Sequence, residues 1–304
     1  MSMKGIFANH SPFLQSGILF VMVLTGFFIS SFIIVLLSLA TGVKIGADPL
    51  EQSILLLQSS QLMSALIAFL LPALFTAWLC SNQPKTFLCI QPFPHIRLLA
   101  LVGLSMLLLL PTISLTEYFN SKMQLPASMA AIEEWMKTSE ELADALFRKM
   151  TSGKGVGAFL LNLFIIAVVA GVTEEFLFRG ALLRILRQRI KNHHIAIWIV
   201  AIIFSFIHFQ FYGFIPRLLL GAYLGYLIYW TRNIWIPVFA HFFHNATAFI
   251  GMSNDSLREN AFFADEIATK DIPWLSITAC ICFIAFAYCA KIIRKTKAIS
   301  RKER

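Results

Sequence analysis

The sequence predicts an all-α protein that crosses a membrane many times. Of its 304 residues, 58% are hydrophobic and 13% are charged, whereas soluble domains carry about 25% charged residues. Two long stretches, 52–84 and 98–116, contain no charged residue at all. A bilayer core requires spans of about 20 apolar residues, and backbone polar groups in lipid must be satisfied within helices. This composition leaves no room for a soluble catalytic domain.

The apolar runs predict about eight transmembrane helices, with an active site in the core of the helix bundle. The first run is longer than the apolar region of a signal peptide, so we expect it to be a membrane helix. The expected helices are 15–41, 54–80, 98–116, 156–178, 195–210, 215–230, 234–251 and 272–292.

We expect one integral membrane domain made of three segments. Residues 1–155 hold the first three helices and a polar outer segment, 156–251 form the catalytic core, and 252–304 hold the last helix and a basic tail. The outer segment contains an amphipathic helix, because apolar residues recur there at helical spacing. We expect this helix to be solvated, and a lid over the membrane part is the alternative. Its apolar residues are Met136, Leu142, Leu146 and Met150.

The distribution of Lys and Arg predicts the orientation, since these residues favour the cytoplasmic side. Most of them fall on the inner side if both termini are cytoplasmic, including those of the tail KIIRKTKAISRKER. The net charge of +9 is then a topology signal that also attracts anionic membrane lipid. We expect a bacterial cytoplasmic membrane and no nucleic-acid partner, since no basic domain stands clear of the membrane.

Ionisable residues inside the apolar runs are concentrated between residues 174 and 244. Each costs about 2.5–3.5 kcal/mol or more at mid-bilayer unless it is paired or wetted. In the stretch TEEFLFR, Glu175 and Arg179 are four residues apart and are predicted to form an ion pair. Glu174 points about 100° away from Glu175 on a helix. A carboxyl group in such a site suits a general base, so the residues alone nominate Glu174 for chemistry.

Three histidines, His208, His241 and His244, lie inside apolar stretches, so they are not explained as charges at helix ends. Glu174 and His208 stand equally far in sequence from the turn between their helices, so a helical hairpin places them at the same depth. His241 and Asn245 share one face of the next motif helix. The depths of His208 and His241 agree only if residues 210–216 form a loop that lines a cavity, as irregular backbone in a membrane requires.

Three motifs on successive predicted helices resemble the CPBP family of intramembrane proteases. EEFLFR at 174–179 fits E-E-x-x-x-R, FSFIH at 204–208 fits F-x-x-x-H, and HFFHN at 241–245 fits H-x-x-x-N. The family includes type II CaaX prenyl endopeptidases and bacteriocin-processing or immunity proteins. The resemblance covers about residues 156 to 250, and no motif position is missing.

The resemblance implies an intramembrane endopeptidase that acts on a membrane-associated peptide or protein. Glu174 would activate water, and His208 would help to position the water or shuttle its proton. His241 and Asn245 would stabilise the oxyanion of the tetrahedral intermediate.

The resemblance also implies that Glu175 and Arg179 maintain the local structure of their motif. Family members have been described as metalloproteases, and a zinc site here would use Glu174, His208 and His241. We favour hydrolysis without a metal or other cofactor, because the sequence contains no H-E-x-x-H motif.

Two other functions stay open at the level of the sequence. One is a non-proteolytic immunity or scaffold protein of the same fold. The other is a proton-coupled transporter, in which buried Glu and His would form a proton relay. Many transporters contain internal repeats, and no repeat is evident in this sequence.

Overall fold

The computed structural model describes residues 3–42, 48–254, 257, 262 and 267–302, with side chains described up to residue 296. Helices make up most of these residues, and no strand occurs among them. The helices longer than ten residues are α1 (Pro12–Thr41), α2 (Ile54–Cys80), α3 (Ile96–Ser121), α4 (Ala130–Thr151), α5 (Val156–Arg189), α6 (His193–Phe206), α7 (Phe214–Thr231), α8 (Trp235–Ser253) and α9 (Ile272–Lys302).

The all-α, polytopic membrane class is confirmed. All eight expected helices are present, and α4 is the amphipathic helix of the predicted outer segment. Five stretches are long and apolar enough to cross a membrane: α1, α2, α3, α5 and Thr269–Thr296, which includes most of α9. The other three expected membrane helices do not meet both requirements. Helix α6 has only 14 residues, and α7 and α8 contain more polar residues.

Helix α5 joins two pieces that the sequence predicts separately, the membrane helix 156–178 and the amphipathic segment 181–191. Two stretches of it are π-helical, Phe164–Val169 and Phe176–Leu182. Such stretches are rare and occur frequently at functional sites. The second stretch contains most of the EEFLFR motif.

The described chain forms two compact units, each built from separate parts of the sequence. Unit 1 consists of Met1–Ile90 and Glu141–Ala196, and unit 2 consists of Gln91–Glu140 and Ile197–Arg304. The predicted three-segment organisation, with boundaries near residues 155 and 251, stays a prediction.

In unit 1, α1 and α2 approach each other closely. Helix α1 begins after Ser11, whose Oγ accepts a hydrogen bond from Leu14 N–H at 3.3 Å, as an N-cap residue does. At Gly26 an added Cβ would lie 2.5 Å from the backbone oxygen of Ile67 in α2. Small residues allow this close backbone approach between membrane helices.

Two side-chain hydrogen bonds connect α5 to the other helices of unit 1. Gln58 Nε2 of α2 donates to Asn162 Oδ1 at 2.8 Å, near the start of α5. Gln188 Nε2, near the end of α5, donates to Gln15 Oε1 of α1 at 2.8 Å. Polar side chains of this kind hold membrane helices together, and here they fix α5 on both sides of the EEFLFR motif.

Unit 2 has an apolar core to which α3, α7, α8 and α9 contribute. The core includes Val102, Met106, Leu224, Ile236 and Ile293, and all five are buried. Polar groups also connect these helices, since the hydroxyl groups of Ser105 and Tyr223 lie 2.7 Å apart.

Helix α4 is more polar than the helices around the core. Of its predicted apolar face, Met150 is buried, whereas Leu142 is exposed. Near its start, Lys137 Nζ lies 2.7 Å from Glu133 Oε1, and Leu125 N–H donates to Glu133 Oε2 at 3.1 Å. These two donors lower the pKa of the Glu133 carboxyl group. The helix is confirmed, and its location on the outer face stays a prediction.

Candidate active site

The EEFLFR motif contains a buried ion pair. Arg179 NH1 donates to Glu175 Oε1 at 2.7 Å, and both side chains are 0% exposed. The predicted i, i+4 pair is therefore confirmed, although the backbone around Arg179 is π-helical rather than α-helical. Removing one partner of such a pair leaves an uncompensated buried charge, so the pair supports the structure of the motif.

Glu174 differs from its neighbour in exposure. Its side chain is half-buried, whereas Glu175 is fully buried. The two carboxyl groups therefore have different surroundings, as their angular separation on a helix predicts. The Oε2 atom is buried in both residues, so the difference in exposure does not extend to every carboxylate oxygen of Glu174.

His208 follows α6 and does not lie inside it. The predicted helix 195–210 is wrong at this end, because α6 stops at Phe206 and residue 208 is in a turn. Phe209 has a φ of 52°, which is left-handed and incompatible with continuing an α-helix. The helix therefore ends before His208, and His208 lies at the start of a loop.

The backbone fixes the orientation and tautomer of His208. Its Nδ1 lies 2.7 Å from the carbonyl oxygen of Phe204. A carbonyl oxygen can only accept a hydrogen bond, so Nδ1 carries the proton in this contact. In the neutral ring Nε2 is then the basic nitrogen. His208 can therefore accept a proton, or a hydrogen bond from water, at a defined atom.

One phenylalanine contacts both motif histidines. The Phe204 ring packs edge-on against His208, with ring centroids 5.0 Å apart, and against His241, with centroids 5.9 Å apart. Phe204 is 1% exposed and His241 is 4% exposed. Sequence reasoning assigned no role to Phe204. Its position four residues before His208 is the signal that could have identified it.

Asn245 and His241 occupy one continuous helix, α8. Residues four apart on a helix project from the same face, as predicted for this pair. His241 is buried and Asn245 is half-buried. An imidazole and an amide on one face can both donate hydrogen bonds, which is the chemistry that an oxyanion requires.

The predicted loop at 210–216 is present, but it comprises residues 207–213. Asn120 of α3 spans it: Nδ2 donates to Phe211 O at 2.9 Å, and Oδ1 accepts from Ile215 N–H at 2.8 Å. Asn120 is 4% exposed. These contacts satisfy backbone groups that would otherwise be costly inside a protein.

Two further side chains hold the same loop. Arg217, in the first turn of α7, donates to Gln210 O at 3.1 Å and to Gln210 Oε1 at 3.0 Å. Glu140 Oε2 of α4 accepts a hydrogen bond from Tyr212 N–H at 3.1 Å. Nothing in the sequence indicated that Arg217, Asn120 and Glu140 hold this loop.

The candidate catalytic residues are divided between the two units. Glu174, Glu175 and Arg179 belong to unit 1, and the later motifs belong to unit 2. Within unit 2, His208 and His241 flank the same ring. The predicted convergence of Glu174 with these residues stays a prediction.

Within the described part of the chain, no group of three or more His, Cys, Asp or Glu side chains is arranged to hold a metal ion. The metalloprotease-like description therefore gains no support. The preference for hydrolysis without a metal is not tested by this finding and stays a prediction.

Comparison with known proteins identifies the class of the motif-bearing segment. Residues 156–247 match the family model described as Type II CAAX prenyl endopeptidase Rce1-like. The match covers less than a third of the chain, and it includes every residue nominated as catalytic or supporting. The predicted resemblance to CPBP intramembrane proteases is confirmed for this segment, within an integral membrane protein.

A curated relative is also similar to the chain over a limited length. It is the "Uncharacterized protein YpbD" of Bacillus subtilis (strain 168), which is 29% identical over 89 residues. The similarity covers 28% of this chain and 42% of the relative, so the chain spans less than half of that protein. No solved structure matches the chain.

Proposed function

We propose that the protein is an intramembrane endopeptidase that hydrolyses a peptide bond in a membrane-associated peptide or protein. The observation that carries this proposal is the environment of His208. Its Nδ1 is anchored to Phe204 O, Nε2 is the basic atom of the neutral ring, and the ring that positions it also contacts His241. The match to an endopeptidase family over residues 156–247 supports the same chemistry.

In the proposed mechanism, Glu174 removes a proton from a water molecule that attacks the peptide carbonyl carbon. His208 accepts a hydrogen bond from this water at Nε2 and keeps it in position. General-base catalysis of this kind requires contacts of about 2.6–3.2 Å, direct or through one water. The mechanism therefore requires Glu174 and His208 to act on the same water molecule.

The tetrahedral intermediate carries a negative charge on the former carbonyl oxygen. His241 and Asn245 donate hydrogen bonds to this oxygen. Because both donors are in position before the reaction, they stabilise the charge as it forms. The C–N bond then breaks, and the proton held by Glu174 passes to the leaving amine. The products are a carboxylic acid and an amine, Glu174 is again a carboxylate, and one water molecule has been consumed.

Glu174→Gln is the decisive test of this function. Native protein and variant are compared in lipid vesicles, with internally quenched peptides that end in a prenylated or an unmodified Cys-aliphatic-aliphatic-X sequence. Native protein should cleave at least one of these peptides, and Glu174→Gln should not, because an amide cannot act as the base. Glu134→Gln, on the exposed side of α4, is the matched control and should cleave normally.

The same pair of variants extends the test to natural substrates. Membrane peptides from cells that carry Glu174→Gln should include one that stays uncleaved, and it should be cleaved in cells that carry Glu134→Gln. Normal cleavage of the peptides by purified Glu174→Gln would rule out its role in water activation. Activity that a chelator removes and zinc restores would rule out the metal-free mechanism alone.

We also propose that both termini face the cytoplasm and that α4 faces the outside. A cysteine introduced in place of Lys137, which is exposed, should react with a membrane-impermeant maleimide added to intact spheroplasts. Labelling that occurs only in inside-out vesicles would reverse this orientation.

A further inference from the structure

The first half of α4 lies against the loop that begins with His208. The ring centroid of Trp135 is 5.2 Å from that of Phe211 and 6.4 Å from that of Phe209. All of these residues belong to unit 2. Trp135 and Phe209 are each 50% exposed, so this contact lies at the edge of the unit and not in its core.

A hydrogen bond from the loop backbone reinforces the aromatic contact. Tyr212 N–H donates to Glu140 Oε2 at 3.1 Å, across 72 residues of sequence. Hydrogen bonds to a charged group are stronger than those between neutral groups. Glu140 is half-buried, which reduces screening of the contact by water. Helix α4 is thus attached to the loop by a hydrogen bond and by two aromatic ring contacts.

Helix α4 shares the support of the loop with other helices, and in the middle of the loop Arg217 of α7 donates to Gln210 O and Gln210 Oε1. At its start, the His208 ring is held by Phe204 of α6. At its end, Asn120 of α3 binds the backbone at Phe211 and Ile215. Between these anchors, the rings of Phe209 and Phe211 pack against Phe206 of α6 and against Trp135 of α4. Tyr212 N–H donates to Glu140 of α4.

These contacts matter for function because catalysis requires the reacting groups to be held accurately in position. Catalytic groups must be held within about 0.5 Å of their productive positions, and a displacement of about 1 Å can lower a rate by roughly 10²-fold. Phe209, directly after His208, has left-handed backbone geometry, and this arrangement costs free energy. The contacts that Phe209, Phe211 and Tyr212 make with α4 therefore help to maintain the turn that positions His208.

We propose that Glu140 and Trp135 of α4 are positioning residues for His208. Through Tyr212 N–H and the rings of Phe209 and Phe211, they hold the loop so that Nε2 of the histidine faces the reacting water. This role rests on the proposed function, because it assigns α4 to the same hydrolysis. Helix α4 lies outside the apolar core and does not contact the substrate in this proposal. It contributes to catalysis through the loop that holds His208.

The test compares four variants in lipid vesicles: Glu140→Ala, Glu140→Gln, Trp135→Ala and the control Glu134→Ala. Activity is measured with the prenylated and unmodified quenched peptides, and hydrogen–deuterium exchange is measured for peptides that cover residues 207–213. Glu140→Ala and Trp135→Ala should each lower kcat about tenfold with KM changed less than about twofold, as expected for lost positioning. Exchange in the loop should become faster in both variants.

The conservative variant separates positioning from general structural support. Glu140→Gln keeps an oxygen that can accept from Tyr212 N–H, so it should retain at least half of the native kcat and native exchange. Glu134→Ala should match the native protein in both measurements. The quantity of folded protein is determined by size-exclusion chromatography, and activity is expressed per folded molecule.

Each contrary result has a distinct meaning. Unchanged loop exchange or unchanged kcat in Glu140→Ala would overturn the positioning role and leave the proposed function intact. A loss of folded protein with normal kcat per folded molecule would show structural support only, and would also overturn it. If native protein cleaves none of the peptides while Glu174→Gln cells show no uncleaved membrane peptide, the proposed function itself fails and the positioning role fails with it.

Discussion

Unit 1 and unit 2 hold their candidate catalytic groups by different means. In unit 1 the supporting groups are two opposite charges, Glu175 and Arg179, four residues apart in one helix and fully buried. In unit 2 the His208 loop is held by side chains that bind backbone groups far away in sequence. Asn120 and Phe211, for example, are separated by 91 residues.

This difference determines what each unit needs in order to work. Both partners of the ion pair lie on one stretch of helix, so their spacing does not depend on contacts with distant segments. The His208 loop requires α3, α4, α6 and α7 to be in place before its contacts can form. Unit 1 is therefore expected to lose folded protein when its charges are changed, whereas peripheral changes in unit 2 should alter catalysis first.

The largest effect is expected when a motif histidine of unit 2 is removed. His208→Ala and His241→Ala should each lower kcat/KM by about 10²–10⁴-fold, the usual contribution of a general acid–base group. His194→Ala, an exposed histidine in unit 1, should have no effect. Peptide cleavage and thermal stability are measured on the same preparations. Near-native activity in either motif variant would remove that histidine from the mechanism.

The next largest effect is expected for the ion pair of unit 1. Glu175→Gln should reduce the free energy of unfolding by about 3–5 kcal/mol, because Arg179 is left as a buried charge without its partner. Glu133→Gln changes the i, i+4 pair with Lys137, whose side chain is 56% exposed, and should reduce the stability far less, because exposed ion pairs contribute little. Unfolding in mixed detergent micelles provides the measurement.

The alternative outcome for Glu175 is informative. A Glu175→Gln variant that folds normally but has no activity would contradict the separation of roles between the two glutamates. It would then place Glu175 in the chemistry alongside Glu174.

A smaller effect is expected at Asn120. Asn120→Ala leaves Phe211 O and Ile215 N–H without this partner, and unsatisfied buried groups cost about 1–3 kcal/mol. Ser121→Ala is the neighbouring control, since Ser121 is exposed and its Oγ donates to Tyr118 O within the same helix, α3. Unfolding in mixed micelles and loop exchange at 207–213 are compared. Equal stability of the two variants would mean that the loop does not depend on Asn120.

The features that the sequence predicts correctly are mostly local ones. The helical segments follow from runs of apolar residues, and the Glu175–Arg179 pair follows from a spacing of four residues. The presence of a loop between α6 and α7 follows from the depth that the motif histidines require. The first two predictions use information contained within about one helix, whereas the loop is predicted by comparing the depths of two helices.

The features that the sequence does not predict depend on contacts between distant segments. The helix α6 ends at Phe206, four residues before the predicted end, because Phe209 adopts a left-handed conformation that no Gly or Pro marks. Asn120 follows an apolar run and has no local signal of its role. Glu140 lies in a segment of charged residues, and nothing in that pattern distinguishes it from Glu134.

The π-helical stretch Phe176–Leu182 has a consequence for insertions and deletions in α5. Hydrogen bonds in such a stretch span five residues instead of four, so it accommodates one residue more than a regular α-helix. If the same residues, Phe176–Leu182, formed a regular α-helix, the basic end, 184–189, would be rotated by about 100° relative to Glu174, which is the angle of one residue. The wider turn therefore sets the angular phase between the carboxylates and the arginines that follow them. Deletion of one residue with a return to α-helical geometry should keep this phase, whereas insertion of a residue should change it.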